Sequence, residues 1–384
     1  MSVDTLITAA RVLPRPSTPI DDGAVLVRDG EIVAAGRRDD VAAAAVDPVV
    51  RDFPGATVLA GLVNSHVHLS FDATREMLPN FLASDDATIA AGARERLAQL
   101  LRSGVTTVRD LGARTVLKPA GGPRVLAAGP PLTVPDGHCH FFGGAVSSDA
   151  EIRAQIDANA ADGADVIKVM AGGGQITPGG AEMWESQFDA RQLGIVVAQA
   201  ARRGLRVAAH AHGADAIADC VEAGVSTIEH CTFMTGPQQT DLRRDVARRM
   251  AAGGTSACST SSRNWRMMAE RMGEDLARRV YGRLPWLEEH GVRLLWGTDA
   301  GLPGSIFDDP LGALELYEWL GFSRRRILEI ATEDSAAGLG LGAVTGRLEP
   351  GLAADVLVVD GDPLAELSAL GKPLLVLARG VEAS

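Results

Sequence analysis

The chain lacks several features that would assign it to other classes of protein. None of its 384 residues lie in an apolar run of roughly 18, the length that a membrane-spanning helix needs. A formal net charge of −12 argues against nucleic-acid binding, which requires clustered basic residues. Four cysteines without Cys-x-x-Cys spacing indicate reduced thiols, and the start of the chain lacks the pattern of a secretory signal. We therefore expect a cytoplasmic protein with neither nucleic acid nor membrane as a partner.

Lysine and histidine are also scarce, and their positions are informative. Of the 37 basic residues, 34 are arginines and only three are lysines, namely Lys118, Lys168 and Lys372. Because the chain otherwise uses arginine as its basic residue, each lysine is an exception. There are eight histidines, and His290 stands apart from the others. The other seven fall in three places, namely His66 and His68, His138 and His140, and His210, His212 and His230.

Both ends of the chain have a β-rich pattern. Residues 24–28 and 32–35 flank Asp29-Gly, which is typical of a hairpin turn. Near the other end, residues 355–360 and 373–379 form two further apolar runs. We expect residues 1–60 and 344–384 to build together one small β-sandwich domain.

The middle of the chain, residues 61–343, alternates apolar strand-like runs with amphipathic helical segments. Several predicted helices begin after Asp or Ser and end at Gly, which are the common residues at helix boundaries. The eight predicted strands are residues 62–68, 105–110, 124–128, 165–170, 206–210, 225–230, 254–259 and 292–299. Eight strands separated by helices indicate a (β/α)8 TIM barrel. A doubly wound sheet is the alternative, but the glycine-rich turn that it needs after its first strand is absent.

Side chains with metal-binding chemistry lie at the ends of these predicted strands, where a barrel places its reactive groups. His66 and His68 end the first strand with a spacing of two, which puts both imidazoles on one face. His210 ends the fifth strand, His230 the sixth, and Asp299 the eighth. A single histidine at a strand end is commonly only a hydrogen-bonded polar residue. The combination of four histidines and an aspartate favours a metal site.

Lys168 lies within the fourth predicted strand, in Val166-Ile-Lys-Val-Met. Such a strand is expected to be buried on both faces, and a buried charged amine is costly unless it is paired. Burial and nearby cations can instead lower its pKa from about 10.4. A neutral amine can react with carbon dioxide to form a carbamate that bridges two metal ions, which arginine cannot do. A structural ion pair is the alternative.

Together these segments resemble the metal-dependent amidohydrolase superfamily. The resemblance rests on Gly61-Leu-Val-Asn-Ser-His-Val-His, Val166-Ile-Lys-Val-Met, His210, His230 and Thr298-Asp-Ala-Gly. Asp29-Gly-Glu-Ile-Val-Ala-Ala-Gly and Gly346-Arg-Leu-Glu-Pro-Gly are similar to the opening and closing strands of the family, so the resemblance covers essentially the whole chain. Gly137-His-Cys-His-Phe-Phe and Ile228-Glu-His-Cys-Thr-Phe resemble the imidazolonepropionase-like branch that includes Xaa-Pro dipeptidases.

The resemblance implies a binuclear centre with two divalent cations. His66, His68 and Asp299 would bind the more buried ion, His210 and His230 would bind the other, and carboxylated Lys168 would bridge them together with a hydroxide. Zn²⁺ is expected, and Mn²⁺ or Co²⁺ could substitute. The hydroxide would attack a scissile carbonyl while Asp299 accepts its proton and passes it to the leaving amine.

Further residues are candidates for substrate contacts. His138, in the long connection after the third strand, is expected to contact the substrate or a developing oxyanion, with His140 and His212 as weaker candidates. Arg263 could bind a substrate carboxylate. The alternatives are histidines with a turn role and a surface arginine. Related dipeptidases commonly have tyrosine where this chain has Phe233, which weakens the case for Xaa-Pro dipeptides.

We therefore expect a metal-dependent hydrolase that cleaves the carbon–nitrogen bond of a small-molecule amide, either an N-acyl amino acid or a dipeptide. Ring opening of a cyclic amide or imidazolone is the alternative reaction, and a non-catalytic metal-binding scaffold is a remote one. Lys168 argues against mononuclear centres and deaminases. Since related proteins are often oligomers, a homo-oligomer is a further expectation.

Overall fold

The computed structural model describes residues 4–383. Its strands, in chain order, are β1 (Thr5–Val12), β2 (Ile20–Arg28), β3 (Glu31–Arg37), β4 (Val49–Ala60), β5 (Leu62–Val67), β6 (Val105–Asp110), β7 (Arg124–Ala127), β8 (Val166–Met170), β9 (Arg206–Gly213), β10 (Thr227–Gly236), β11 (Gln239–Thr240), β12 (Ser256–Cys258), β13 (Leu294–Leu295), β14 (Val356–Asp360), β15 (Pro373–Ala378) and β16 (Val381–Glu382).

The helices lie mainly between the strands of the middle region. They are α1 (Arg38–Ala42), α2 (Met77–Ala83), α3 (Asp86–Arg102), α4 (Asp149–Ala161), α5 (Ala190–Arg202), α6 (Ala214–Ala223), α7 (Arg244–Gly253), α8 (Trp265–Met272), α9 (Glu274–Tyr281), α10 (Arg283–Glu289), α11 (Pro310–Trp319), α12 (Arg324–Glu329) and α13 (Ser335–Gly338). Short 3-10 turns occupy His140–Phe142 and Leu367–Gly371, and a π-helical turn occupies Ile330–Asp334. Within residues 4–383, no helix has the length and apolar character needed to cross a membrane.

The middle region contains parallel strands, as the alternating sequence pattern predicts. β5, β6 and β7 form one parallel sheet, and β8, β9, β10, β12 and β13 form another, in which β11 adds an antiparallel pair to β10. Backbone hydrogen bonds also connect the two sheets through the segments that follow β13 and β7, from Ser65 of β5 to Trp296 and from Leu132 to Lys168 of β8, each 2.8 Å long. The α/β class is therefore confirmed.

Local sequence signals account for several helix boundaries. Asp85, Ser148 and Asp189 each accept a hydrogen bond from the backbone at the start of α3, α4 and α5, a contact worth about 1 kcal/mol per helix. α6 ends at Gly224, which has φ +81°, a value that glycine adopts without steric cost. α7 begins at Arg244, three residues after the short strand β11 ends, and its C-cap Gly254 has a left-handed backbone.

The eighth predicted strand differs most from the structure. Residues 292–299 were expected to form one strand, but only Leu294–Leu295 do so. Asp299 has φ +56°, a left-handed conformation that cannot continue an extended strand. The turn of the backbone at this residue is therefore a local departure from the periodic pattern.

The two ends of the chain meet in a single seven-stranded sheet with the order β16-β15-β14-β4-β1-β2-β3. Its β2–β3 hairpin turns at Asp29 and Gly30, where both residues have positive φ, as the Asp-Gly signal predicts. Neighbouring residues of β1 face opposite sides, so Leu6 packs toward Val41 of α1 while Ile7 belongs to a separate core cluster. The division into three segments at residues 60 and 343 stays a prediction.

Gly61 is the single residue between the terminal sheet and the first parallel strand. A Cβ at this position would lie 2.7 Å from the Cβ of Thr106 and closer still to both of its γ atoms. Thr106 is fully buried and cannot move aside. We expect Gly61→Ala to lower the free energy of unfolding by about 1–3 kcal/mol, measured by urea denaturation. Gly55→Ala, whose Cβ would meet nothing, should change it by less than about 0.5 kcal/mol, and equal effects would contradict the packing argument.

Candidate active site

The parallel strands bring the predicted metal ligands to one cavity. His66 lies near the end of β5, Lys168 within β8, His210 in β9 and His230 in β10, while Asp299 follows β13. All five line a cavity of about 210 Å³, which His68 also lines. The carboxyl ends of parallel strands meet at the same edge of the structure, so residues that are distant in sequence converge here.

One group consists of three ligand atoms that face each other. The Nε2 atoms of His66 and His68 are 3.3 Å apart, and the Oδ1 atom of Asp299 lies 3.3 Å from the first and 3.2 Å from the second. The three residues are at most 9% exposed. Ligands bound tetrahedrally at about 2.0 Å from Zn²⁺ would lie about 3.3 Å from each other. The spacing of these atoms therefore fits a bound cation.

A second group consists of three histidines. Ligand atoms of His210, His212 and His230 all lie within 4.8 Å of each other, and the rings of His212 and His230 stack with centroids 4.4 Å apart. His210 Nε2 lies 2.9 Å from the carbonyl oxygen of Gly173, so a proton on Nε2 leaves Nδ1 as the nitrogen that can bind a metal. The structure thus adds His212 to the two histidines that the sequence indicated as ligands.

Lys168 has the surroundings that the sequence predicts. Its side chain is 1% exposed, and Nζ has no hydrogen-bond partner among the described residues. Burial is the main cause that lowers the pKa of Lys168 below the usual value for lysine, which shifts the group toward the neutral amine. Lys118 provides the contrast, because its partly exposed amine forms an ion pair of 2.7 Å with Asp165. An orphaned buried amine beside two ligand groups fits the lysine of a binuclear centre.

Glu229 and Arg109 support the first ligand group, and the sequence interpretation did not identify them. Glu229 is fully buried and accepts a 2.8 Å hydrogen bond from His66 Nδ1 and another of 2.8 Å from Arg109 Nη2. Burial by itself would raise the pKa of Glu229, but the charge of Arg109 and the bond from His66 outweigh burial and lower it. A carboxylate at Nδ1 fixes the proton there and leaves His66 Nε2 free to bind a metal.

A signal for this support was present in the sequence. Glu229 and Arg109 are charged residues inside the apolar runs of residues 225–230 and 105–110, where an unpaired charge would be costly. Two such charges of opposite sign in buried strands predict a pair, although not which strands are neighbours.

The backbone is unusual at two of the predicted ligands. His230 has φ +68° and Asp299 has φ +56°, and such left-handed conformations of residues other than glycine cost about 1–3 kcal/mol each. The buried side chain of Arg283 donates a 3.2 Å hydrogen bond from Nε to the carbonyl oxygen of His230. The surrounding structure therefore holds the two side chains in place against local backbone preference.

His138 lies beside the second ligand group, where the sequence interpretation expected a substrate contact. It is 4% exposed, lines the cavity, and its ring centroid is 4.6 Å from that of His210. The hydroxyl of Thr177 lies 3.3 Å from its Nδ1. Burial lowers the pKa of His138 to about 4, which favours the neutral imidazole at pH 7. A neutral imidazole can donate one hydrogen bond to a substrate oxygen.

Two other predicted contacts lie outside the lining of this cavity. His140 is exposed, and its Nδ1 lies 3.1 Å from the carbonyl oxygen of Gly137, which is a turn role. The half-exposed side chain of Arg263 pairs with Asp309 at 3.2 Å. Phe233 is fully buried and packs edge-on against Trp286, with centroids 5.9 Å apart. None of these three residues lines the cavity that holds the ligand groups, and a substrate contact of His140 or Arg263 stays a prediction.

Comparisons with known proteins agree with the geometry of the site. Residues 57–381 match the model of the amidohydrolase family. The ochratoxinase of Aspergillus niger is 26% identical, and the match covers 97% of this chain and 84% of that protein. The imidazolonepropionase of Sphingopyxis alaskensis is 27% identical over 91% of this chain and 89% of its own. The crystal structure of a Xaa-Pro dipeptidase with methionine in its active site has a TM-score of 0.83 at 24% identity, with 99% of each chain covered.

The support given by Glu229 predicts a measurable effect on metal affinity. We expect Glu229→Gln to weaken binding of Zn²⁺ by about 10–100-fold, because the neutral amide is a weaker acceptor for His66 Nδ1–H and leaves the charge of Arg109 unpaired. Competition with a fluorescent zinc chelator measures the affinity, and circular dichroism checks that the variant is folded. Glu222→Gln, on an exposed part of α6, is the matched control and should bind as the unmodified protein does. Unchanged affinity in a folded Glu229→Gln protein would show that this carboxylate does not orient the ligand.

Proposed function

This chain belongs to the amidohydrolase family and is a metal-dependent hydrolase of carbon–nitrogen bonds, and on that premise we propose that it cleaves a small-molecule amide at a binuclear centre. The observation that carries the proposal is the meeting of two ligand groups and an unpartnered buried amine in one cavity. Ligand groups alone would serve a single ion equally well. The orphaned Nζ of Lys168 is the feature that favours two.

The residues divide between the two ions as follows. His66, His68 and Asp299 would hold one ion, His210 and His230 would hold the other, and Lys168 would be the ligand that both share. Two divalent cations at this centre, with Zn²⁺ as the first candidate and Mn²⁺ or Co²⁺ as alternatives, would lower the pKa of a water toward neutrality and polarise the scissile carbonyl. His212 is close enough to His230 to serve as a further ligand or to position it.

Lys168 becomes a bridging ligand by a simple addition. Its neutral Nζ forms a bond to the carbon of carbon dioxide and releases a proton, which leaves a carbamate with two oxygen atoms. The lowered pKa of Lys168 and its shielding from solvent both favour this reaction. An arginine in the same place would remain charged and could not take part.

The protein's own groups then move the proton and orient the substrate. The carboxylate of Asp299 accepts a proton from the attacking water and delivers it to the amine nitrogen as the carbon–nitrogen bond breaks. His138, which also lines the cavity, donates a hydrogen bond to the carbonyl oxygen, where negative charge develops.

N-acyl amino acids and dipeptides are the first substrate candidates. A peptide-bond substrate agrees with the solved dipeptidase that shares this fold. Ring opening of a cyclic amide or imidazolone is the second candidate, and the specific observation in its favour is the 27% identity to an imidazolonepropionase.

Several finer features complete the proposal. We propose that the linked parallel sheets close into a (β/α)8 barrel and that the terminal sheet folds into a β-sandwich. A cytoplasmic location agrees with four buried cysteines that form no disulfide. Homo-oligomer formation, and the absence of nucleic-acid and membrane partners, stay predictions.

Replacement of Lys168 tests the binuclear centre. We expect about two ions per chain by elemental analysis, and Lys168→Ala should lose at least one ion and lower amide hydrolysis at least about 100-fold, because the bridge is gone. Short carboxylates such as formate or propionate should restore part of the activity. Lys118→Ala, which removes an exposed ion pair, is the control. One ion per chain in the unmodified protein would overturn the bridging role.

A substrate library tests the reaction itself. We expect the metal-loaded enzyme to release amine from members of a set of dipeptides and N-acyl amino acids, measured with an amine-reactive fluorophore. The same assay with Asp299→Asn should fall by about 10²–10⁴-fold, because the proton carrier is lost. If no dipeptide or N-acyl amino acid in this set is hydrolysed but a cyclic amide is, ring opening is the reaction instead.

A further inference from the structure

A second and larger cavity adjoins the one that holds the ligand groups. Its volume is about 680 Å³, against about 210 Å³ for the inner cavity. Gln175, Met183 and His212 line both cavities, so the two are contiguous at these side chains. We call the larger one the outer pocket. Its continuity with the metal ligands makes it part of the space that a substrate can occupy.

The outer pocket is lined mainly by apolar side chains. Four methionines, Trp184 and Tyr281 account for most of its large side chains, and the methionines are Met183, Met234, Met268 and Met272. Among the described residues that line it, Glu182 is the only acidic residue, and none is lysine or arginine. An anionic group on a substrate would therefore find no cationic side chain to pair with there. An apolar group could be buried there without leaving a charge unpaired.

The volumes of the two cavities indicate where the two parts of a substrate would lie. Pockets that enclose drug-sized ligands have volumes of about 300–1,000 Å³, so the outer pocket is in this range and the inner cavity is below it. The inner cavity is therefore too small for a drug-sized substrate, above all if it also holds metal ions. The remainder of such a substrate would extend into the outer pocket, which is the contiguous space.

We propose that the outer pocket binds a bulky, uncharged apolar group, such as a medium-length acyl chain or an aryl group, attached to one side of the scissile amide. This inference rests on the proposed amide hydrolysis and names its substrate class. Methionine side chains are flexible and polarizable, so they can adapt to groups of different shape. The enzyme thus prefers lipophilic amides over small polar dipeptides.

Specificity constants for two matched series test the preference. The first series is N-acetyl-, N-butanoyl-, N-hexanoyl- and N-octanoyl-L-alanine, and the second is N-acetyl-glycine, N-acetyl-leucine and N-acetyl-tryptophan. Burial of each methylene group can raise affinity about 3-fold, so kcat/KM should rise at least about 10-fold along one series. Two flat series, in an enzyme that does hydrolyse amides, overturn the inference and leave the proposed function intact. No hydrolysis in either series would count against the proposed function instead.

A pair of neighbouring methionines provides the control within the chain. Met267 and Met268 are both 42% exposed on α8, but only Met268 lines the outer pocket. We expect Met268→Glu to lower the ratio of kcat/KM for the longest and shortest substrates about 10-fold, because a carboxylate next to an apolar group opposes its burial. Met267→Glu should leave the ratio unchanged. If this kcat/KM ratio is the same in both variants, the outer pocket does not contribute to substrate recognition.

A binding measurement separates the pocket from catalysis. The neutral fluorescent probe prodan should bind the metal-loaded protein with increased emission, and N-octanoyl-L-alanine should displace it more effectively than N-acetyl-L-alanine. Binding should weaken in Met268→Glu and not in Met267→Glu. This result would support the apolar pocket even if no tested amide were hydrolysed. Failure of prodan to bind the unmodified protein would contradict it.

Discussion

Buried ligand atoms that converge within 3.2–3.3 Å of one another are the constraint on which the centre of this molecule depends. His66, His68 and Asp299 place two nitrogens and one oxygen at 3.2–3.3 Å in a site with little access to water. Lone pairs at this distance repel each other, and a buried polar atom without a partner is costly. A divalent cation removes both penalties at once. The same reasoning applies to the amine of Lys168, which is buried without a hydrogen-bond partner and whose pKa is lowered by that burial.

The rest of the fold keeps this arrangement in place. Parallel strands carry the side chains to a common edge, and the fully buried Glu229 links His66 to Arg109 below them. The left-handed backbone at His230 and Asp299 works against local preference, so packing and hydrogen bonds around the site must supply the difference. A backbone cost of this kind is typical of functional sites, because the local sequence does not favour the left-handed conformation.

The space around the ligand groups is divided by polarity as well as by size. The inner cavity is lined by histidines, Lys168 and Asp299, while the outer pocket is lined by methionines and aromatic rings. Chemistry at a polar amide and recognition of an apolar group are thereby assigned to adjacent volumes. Arg263, which pairs with Asp309, lines neither cavity.

Several features of the fold and of the candidate site could be predicted from the sequence, because strand periodicity, helix capping and the cost of a buried charge depend on only a few neighbouring residues. The spacing of His66 and His68, the single lysine in the apolar run around residue 168 and the caps of α3, α4 and α5 are local signals, and each predicted its outcome. The pairing of Glu229 with Arg109, the stacking of His212 on His230 and the ion pair of Arg263 with Asp309 could not be obtained in this way. The outer pocket likewise joins side chains from the region of residues 174–184 to others from residues 234–240 and 268–281.

The sequence by itself determined which residues carry metal-binding chemistry, since that depends on side-chain type and position along a strand. Only the tertiary structure decided which of them meet, because contacts between distant segments depend on how the strands and helices pack.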